Sequence, residues 1–488
     1  MKLSVIASLL SILYLPAVFS CTTILVGDKA TADGSYIIAR NADHSALTNQ
    51  HYFHHPRIDN ASGKFKSSFN DFTYPVPKTS LAYDSFAKAM THDHSWGSAG
   101  FNEAGVGMTA TETIFNNPAV LKIDPYVENT GINEDSIINV ILPRAKTAKE
   151  GVEILGKIIE DRGAAEGFGV AFVDPDGIWY LETASGHQWM ATKLNSEDCF
   201  VSANQGRLQQ YDPKDTAHYL ASPDLIRFAE QHGLYNPQQD GVFDFHKVYS
   251  KDDKTDVRYN YPRVLRLQHQ YNPHLTTVLS EPMAFPVFTK PEKLLTVDDI
   301  KAGLRDHYQG TKDDPYAEKD PYAPKRPISV FRTYESNILQ VRPELPQAIG
   351  EVTYIGWGMT ALTPYIPFYE GAKIPHIFRE GGNSADEHSA FWQLRTVQTL
   401  AMVDYKQFAP IVQSAYQKME QEQAQLMHKT EQEYLALYKK DPKAAQKLLD
   451  DFEITIANQT MATAKKLQLE LITKLTADID HKYHFAGA

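Results

Sequence analysis

The chain has 488 residues, 42% of them hydrophobic and 22% charged, a soluble globular composition with room for one big domain or two ordinary ones. Its 48 basic residues against 60 acidic ones leave a net charge of −12, which argues against a nucleic-acid partner because phosphate binding needs a positive field. Beyond residue 20 no apolar run approaches the length of a membrane span, so no stable membrane insertion is expected.

The first twenty residues have a different texture. Lys2 supplies a positive start, Leu3 to Phe19 is almost wholly apolar, and Pro16 breaks the run shortly before Val18-Phe19-Ser20. This is the pattern of a signal peptide over residues 1–20, and it predicts export to the periplasm or beyond. Cleavage after Ser20 makes Cys21 the first residue of the mature chain.

From Cys21 to about Ala203 the pattern is mostly short strands. Thr22 to Val26 and Tyr36 to Ala39 read as a pair joined through Asp33-Gly34. Gly169 to Val173 and Ile178 to Glu182 flank the turn Asp174-Pro175-Asp176-Gly177. Between these pairs, Ile137 to Asp161 has helical spacing, with Val152, Leu155, Ile158 and Ile159 on one apolar face. From about 205 to 350 the chain is rich in Tyr and Pro and has few long periodic segments. The run Asp314-Pro-Tyr-Ala317 recurs as Asp320-Pro-Tyr-Ala323, two copies that make a biased loop and no repeat architecture. From Ser384 onward the spacing is helical. Phe408, Ile411, Val412, Ala415, Tyr416 and Met419 form a stripe too wide for a strict heptad seam, and Asp441-Pro442 reads as the cap and first residue of another helix. Packing on the body of the protein is expected for this part, ahead of a coiled-coil partner.

The chemistry converges on Cys21. A free α-amine has a pKa of roughly 7.7–8.0, far below that of a lysine, so an N-terminal cysteine carries a base beside its own thiol. Such a nucleophile needs a cation near the sulfur, a carboxylate to orient the amine and donors for the oxyanion. Cys21 also admits two other readings, a buried structural thiol and a lipid attachment site, although Phe19 is bulky for a lipidation box. Cys199 is the second cysteine, and the sequence alone leaves a bridge between the two open. The clusters His51, His54, His55 and His92-Asp93-His94 lack a recognised ligand spacing, so solvated loops are expected there and metal binding is not.

The opening Cys21-Thr-Thr-Ile-Leu-Val-Gly, followed by Asp33-Gly-Ser and Ala39-Arg40-Asn41-Ala42-Asp43, resembles that of the N-terminal-nucleophile cysteine dipeptidases. That family includes bacterial dipeptidase A and the secernins and is related to penicillin V acylase and bile-salt hydrolase. The resemblance continues at Gly100-Phe-Asn-Glu-Ala-Gly-Val-Gly107, Trp179-Tyr-Leu-Glu-Thr-Ala-Ser-Gly-His-Gln-Trp189, Val201-Ser-Ala-Asn204, Arg263-Val-Leu-Arg266 and Tyr365-Ile-Pro-Phe-Tyr369. It implies that Cys21 is the nucleophile, that Arg40 stabilises its thiolate, that Asp43 holds its amine and that Asn204 donates to the oxyanion. Strand alternation would put Arg40 and Asp43 on opposite faces, so a turn after Arg40 is expected to bring both to Cys21. Arg263 is the candidate for a second arginine used by the acylase relatives. Those relatives carry an asparagine ten residues after the Asn of their Asn-Glu-x-Gly motif, and counting from Asn102 reaches Glu112. Glu112 is therefore the candidate to bind the substrate's free ammonium group.

The fold implied is α+β, the αββα sandwich of the N-terminal-nucleophile hydrolases. Residues 21–383 would form it with Tyr/Pro-rich insertions, and 384–488 would be a helical part packed upon it. The function implied is an exported cysteine dipeptidase working through an acyl-enzyme on Cys21, with small peptides as substrates. An acylase of the penicillin V or bile-salt type is the nearest alternative, a lipid-anchored binding protein with Cys21 capped is another, and a metallopeptidase using the histidine clusters is a third. No cofactor is expected, and self-association into a homo-oligomer stays open.

Overall fold

The computed structural model describes residues 21–89, 96–279, 285–316 and 325–483. The signal segment 1–20, the cluster His92-Asp93-His94 and the second Asp-Pro-Tyr-Ala run lie outside the described residues.

Two antiparallel sheets dominate the mixed α/β structure. The first has seven strands in the order Phe288–Thr289, Cys199–Ser202, Thr22–Val26, Tyr36–Asp43, Thr333–Val341, Glu351–Trp357 and Ile366–Tyr369. The second has six, in the order Tyr219–Ala221, Trp189–Lys193, Gly177–Thr183, Phe168–Asp174, Gly107–Thr113 and Ala99–Phe101. Tyr36–Asp43 lies against Gly107–Thr113, Phe168–Asp174 and Gly177–Thr183, so the two sheets meet face to face. Side-chain alternation feeds two apolar clusters. Phe168, Val170, Phe172, Trp179 and Leu181 pack with the helices Glu134–Ile141 and Ala148–Arg162, whereas Ala171, Val173, Ile178 and Tyr180 pack with Ile38 and Phe200 of the other sheet. Every residue of Thr22–Val26 is buried, as a central strand covered on both faces requires.

Sequence periodicity and structure differ in three places. The run expected to be one helix over 137–161 is two, because Pro143 brings no N–H to extend the first and Thr147, extended at φ −142°, caps the second through the Glu150 N–H. The Tyr/Pro-rich middle contains the helices Leu225–Gln231, Tyr261–Tyr271 and Val297–Leu304. It also contains the nine-residue strand Thr333–Val341, an interior strand of the seven-stranded sheet beside Tyr36–Asp43. That strand is hidden from an apolar count because it buries Glu335, Ser336 and Asn337, each hydrogen-bonded: Ser98 and Asn337 donate to Glu335, and Ser336 donates to Asn41. The two cysteines are free thiols, both buried.

The helical end comprises Ala390–Ala401, Tyr405–Leu437 and Pro442–Lys482, with Asp441 capping the last through the Ala444 N–H at 3.0 Å. The two long helices pack on each other, and Pro442–Lys482 also packs on the edge strand Ile366–Tyr369. Glu453 accepts the Tyr369 N–H at 2.8 Å and Glu420 accepts the Tyr365 N–H at 2.6 Å, so helix carboxylates occupy backbone donors at this sheet edge.

Candidate active site

Cys21 precedes the central strand Thr22–Val26 at one end of the interface between the sheets and is 3% exposed. Arg40 reaches it from the adjacent strand, where Thr23 pairs with Arg40, and its Nη1 donates to the Cys21 Sγ at 3.4 Å. The rest of the guanidinium is held from the other sheet. Nε donates to Thr109 Oγ1 at 2.9 Å, Nη1 to the Thr111 carbonyl at 3.1 Å, and Nη2 to the carbonyls of Ser98 at 3.0 Å and Ala110 at 2.6 Å. Burial works against the Arg40 cation, and the Cys21 sulfur and the Glu335 carboxylate outweigh it, so its acidity is weakened further. Burial pushes the Cys21 thiol up to about 12 despite Arg40, with Glu112, Glu134 and Asp43 acting in the same direction as burial.

Glu112 arrives by an irregularity. In Gly107–Thr113 the register slips between Ala110 and Glu112, so that Ala110 pairs with Val170 and Glu112 with Gly169. Strict alternation would place Glu112 with Met108 and Ala110, toward the helices. The bulge turns it to the sheet–sheet interface instead, where Thr23 Oγ1 donates to its Oε2 at 2.6 Å. Its Oε1 has no hydrogen-bond partner among the described residues, and burial pushes the carboxyl up to about 7 against the pull of Arg263, Thr23 and Arg40.

Arg263 projects from the helix Tyr261–Tyr271. Its Nη1 donates to the Cys21 carbonyl and, at 2.9 Å, to Thr22 Oγ1, while its Nη2 donates to the side-chain oxygens of Asn204 and Asn260 at 2.8 Å each. Burial lowers its pKa to about 10, helped by Arg326. Asn204 is thus gripped at its amide oxygen, and its Nδ2 donates to the Thr113 carbonyl at 3.0 Å.

Asp43 corrects one expectation. No turn follows Arg40: Tyr36–Asp43 is one unbroken strand, and the irregularity lies in its neighbour, where Thr333 pairs with Asp43 and Glu335 with Ala42. Asp43 accepts from Thr333 Oγ1 on one oxygen and from Arg326 Nη2 on the other, and its charge is felt at both Cys21 and Arg263. Arg326 was not singled out from the sequence, since it follows a biased loop and belongs to no motif. Glu134 was also missed; it opens a helix behind the Asn133 cap, and its charge reaches Cys21 and Arg40.

The histidines His51, His54 and His55 lie apart from this group on the strand Gln50–His55. Each has its own contact: His51 with the Gly381 carbonyl at 2.9 Å, His54 with Asp84 at 2.7 Å and His55 with Ser85 at 3.0 Å.

A buried thiol, a guanidinium against it and carboxylates around it make an arrangement suited to acyl transfer, and sequence comparison gives the chain the same class: it belongs to a family of peptidases. The family is Peptidase family C69, whose profile matches residues 20–418. A protein of Salmonella dublin described as a probable dipeptidase is 55% identical over 368 residues, covering 75% of this chain and 85% of that protein. A Bifidobacterium longum protein described as a dipeptidase is 33% identical over 411 residues, 78% of this chain and 77% of its own length. A probable dipeptidase B of Streptococcus pyogenes is 29% identical over 470 residues, 93% of each chain.

Proposed function

We propose that the protein is an exported cysteine dipeptidase of the N-terminal-nucleophile type, its residues 21–383 forming an αββα sandwich and 384–488 a helical part laid upon it. The observation that carries this reading is the 3.4 Å contact between Arg40 Nη1 and Cys21 Sγ within a shell that buries both. The names of the relatives support dipeptides as substrates.

Removal of residues 1–20 frees the Cys21 amine. In the full-length chain burial holds the Cys21 thiol up at about 12, so in the mature enzyme its proton needs an acceptor close by, and the freed amine is that acceptor. Proton transfer from sulfur to the amine accompanies attack on the scissile carbonyl, and Arg40 stabilises the negative charge that develops on sulfur as the S–H bond breaks, before the C–S bond forms and the charge passes to the carbonyl oxygen. The C–N bond breaks as the amine returns the proton to the leaving nitrogen. Water then adds to the thioester, gives a proton to the same amine, and sulfur departs and regains it. Asp43 orients the amine, Asn204 serves the oxyanion through its Nδ2, and Arg263 fixes the Cys21 carbonyl and Asn204 together. Glu112, with one oxygen held by Thr23, receives the substrate's ammonium group on the other.

N-terminal sequencing and intact mass of the purified protein test this directly. The expected mature chain starts with an unmodified Cys21, and a brief reaction with a slow dipeptide ester leaves an acyl adduct on it. A start at another residue, or a diacylglycerol adduct on Cys21, overturns the mechanism.

A further inference from the structure

Arg326 lies beside the proposed catalytic group with no role assigned to it. Its backbone is pinned on both sides: the N–H donates to the Arg258 carbonyl at 3.1 Å, and the carbonyl accepts from Tyr308 Oη at 3.1 Å. Its side chain is equally fixed. Nη1 donates to the Pro327 carbonyl at 2.6 Å, Nη2 forms a buried ion pair with Asp43, and the guanidinium lies 5.7 Å from the Tyr259 ring, which Arg263 also approaches at 5.2 Å. Burial works against this cation, yet Asp43, Tyr259 and the Cys21 sulfur hold it more firmly charged than usual.

We infer that Arg326 is a positioning residue that neutralises Asp43, so that the carboxylate can orient the Cys21 amine without turning it into a permanent ammonium ion. The inference rests on the N-terminal-nucleophile reading. A lone buried carboxylate beside an amine favours the protonated form and raises its pKa by about 1–3. A protonated amine cannot accept the thiol proton, so an uncompensated Asp43 would silence the enzyme at neutral pH while holding its base in place. The Arg326–Asp43 pair has no net charge, and the second oxygen of Asp43, bonded to the neutral Thr333 hydroxyl, fixes its direction.

Other charged groups bear on Cys21. Arg40 shares its sheet, Glu112 and Glu134 reach Cys21 from the opposite sheet and its helix, and Arg263 comes from the helix Tyr261–Tyr271. Tyr180 and Tyr334 are coupled to the Cys21 sulfur as well, and burial holds both hydroxyls protonated far above neutrality. The Glu112 carboxyl, near 7, is also held down by Arg326, so Arg326→Gln raises it as well, and measuring the pH profiles of Cys21 reactivity on a Glu112→Gln background separates that titration from the amine's.

The test is the pH dependence of Cys21 reactivity in the mature protein, read both as kcat for a dipeptide and as the rate of alkylation by iodoacetamide, which needs no turnover. Arg326→Gln should move the acid limb of both profiles up by one pH unit or more, an activity loss of about tenfold at pH 7 that is largely recovered at pH 9. Arg326→Lys, which keeps the charge, should leave the limb near its wild-type position. Asp43→Asn leaves Arg326 uncompensated and should move the alkylation limb down, so the inference stays testable if Arg326→Gln does not fold. A limb that stays put in Arg326→Gln with activity lowered equally at every pH, or in Asp43→Asn, overturns the inference and reduces Arg326 to a structural role. Failure of the underlying reading is separate: it appears as a wild-type mature chain that does not begin at Cys21, or as activity surviving Cys21→Ala.

Discussion

Replacing Glu112 by Gln removes a charge without changing shape, and the surroundings of that side chain set the size of the effect. The carboxylate is 1% exposed, one oxygen is bonded to Thr23 at 2.6 Å, and the other has no partner among the described residues. A substrate ammonium bound there makes a charge-assisted hydrogen bond in a site shielded from water, worth about 1.5–3 kcal/mol. Glu112→Gln should therefore lower kcat/KM for a free dipeptide by roughly 10- to 100-fold. The N-acetylated dipeptide carries no ammonium, so its slow hydrolysis should change little and the preference for the free form should collapse. The same substitution has a signature in stability. Burial holds this carboxyl at about 7 instead of its ordinary 4.5, which destabilises the ionised folded state by roughly 3 kcal/mol. Because the folded-state value is raised, the wild-type contribution is fully present below 4.5 and is lost as pH rises through 7. Glu112→Gln should thus gain on wild type in urea unfolding between pH 5 and pH 8. The assay is steady-state kinetics on the two substrates, with urea midpoints at both pH values. An unchanged preference for the free dipeptide would remove Glu112 from substrate binding, and a wild-type preference for the acetylated form would favour an acylase.

Three further substitutions probe the site and the frame around it. Cys21→Ala should abolish hydrolysis, whereas Cys199→Ala should keep most of it and lose about 1 kcal/mol of stability, since Cys199 is a buried thiol paired across the sheet with Val26; equal loss in both would demand a shared role. Gly100→Ala should destabilise by roughly 1–3 kcal/mol in urea titration, because its new methyl group would lie 1.7 Å from the Asp84 carbonyl oxygen, next to the Ser98 that holds Arg40; an unchanged midpoint would show that the strand Ala99–Phe101 can move aside.

The candidate site residues were picked out by the resemblance to the N-terminal-nucleophile dipeptidases and their acylase relatives. Cys21, Arg40, Asp43, Glu112, Asn204 and Arg263 come from segments far apart in the chain and meet at the end of one sheet–sheet interface. The route by which two of them arrive was not legible. The bulge that rotates Glu112 depends on how Gly107–Thr113 pairs with Phe168–Asp174, and no local pattern announces it. The expected turn after Arg40 was wrong for a related reason, the irregularity belonging to the neighbouring strand. Arg326 and the strand Thr333–Val341 escaped notice because they bury polar side chains, whose partners are supplied only by the folded structure.

The Arg40 side chain is saturated. A guanidinium has five N–H donors, and here the five bonds run to Thr109, Cys21, Thr111, Ser98 and Ala110. The group has nothing left to offer a ligand. In the proposed mechanism it would stabilise charge on sulfur as a fixed part of the scaffold, and no carboxylate in a substrate can recruit it without breaking the sheet contacts that hold it. Discrimination among substrates must then be the work of other side chains, and substrate preference could change across relatives without any change at Arg40. Lysine could not stand in for it, because three donors on a flexible stem cannot bridge two sheets and a thiol together.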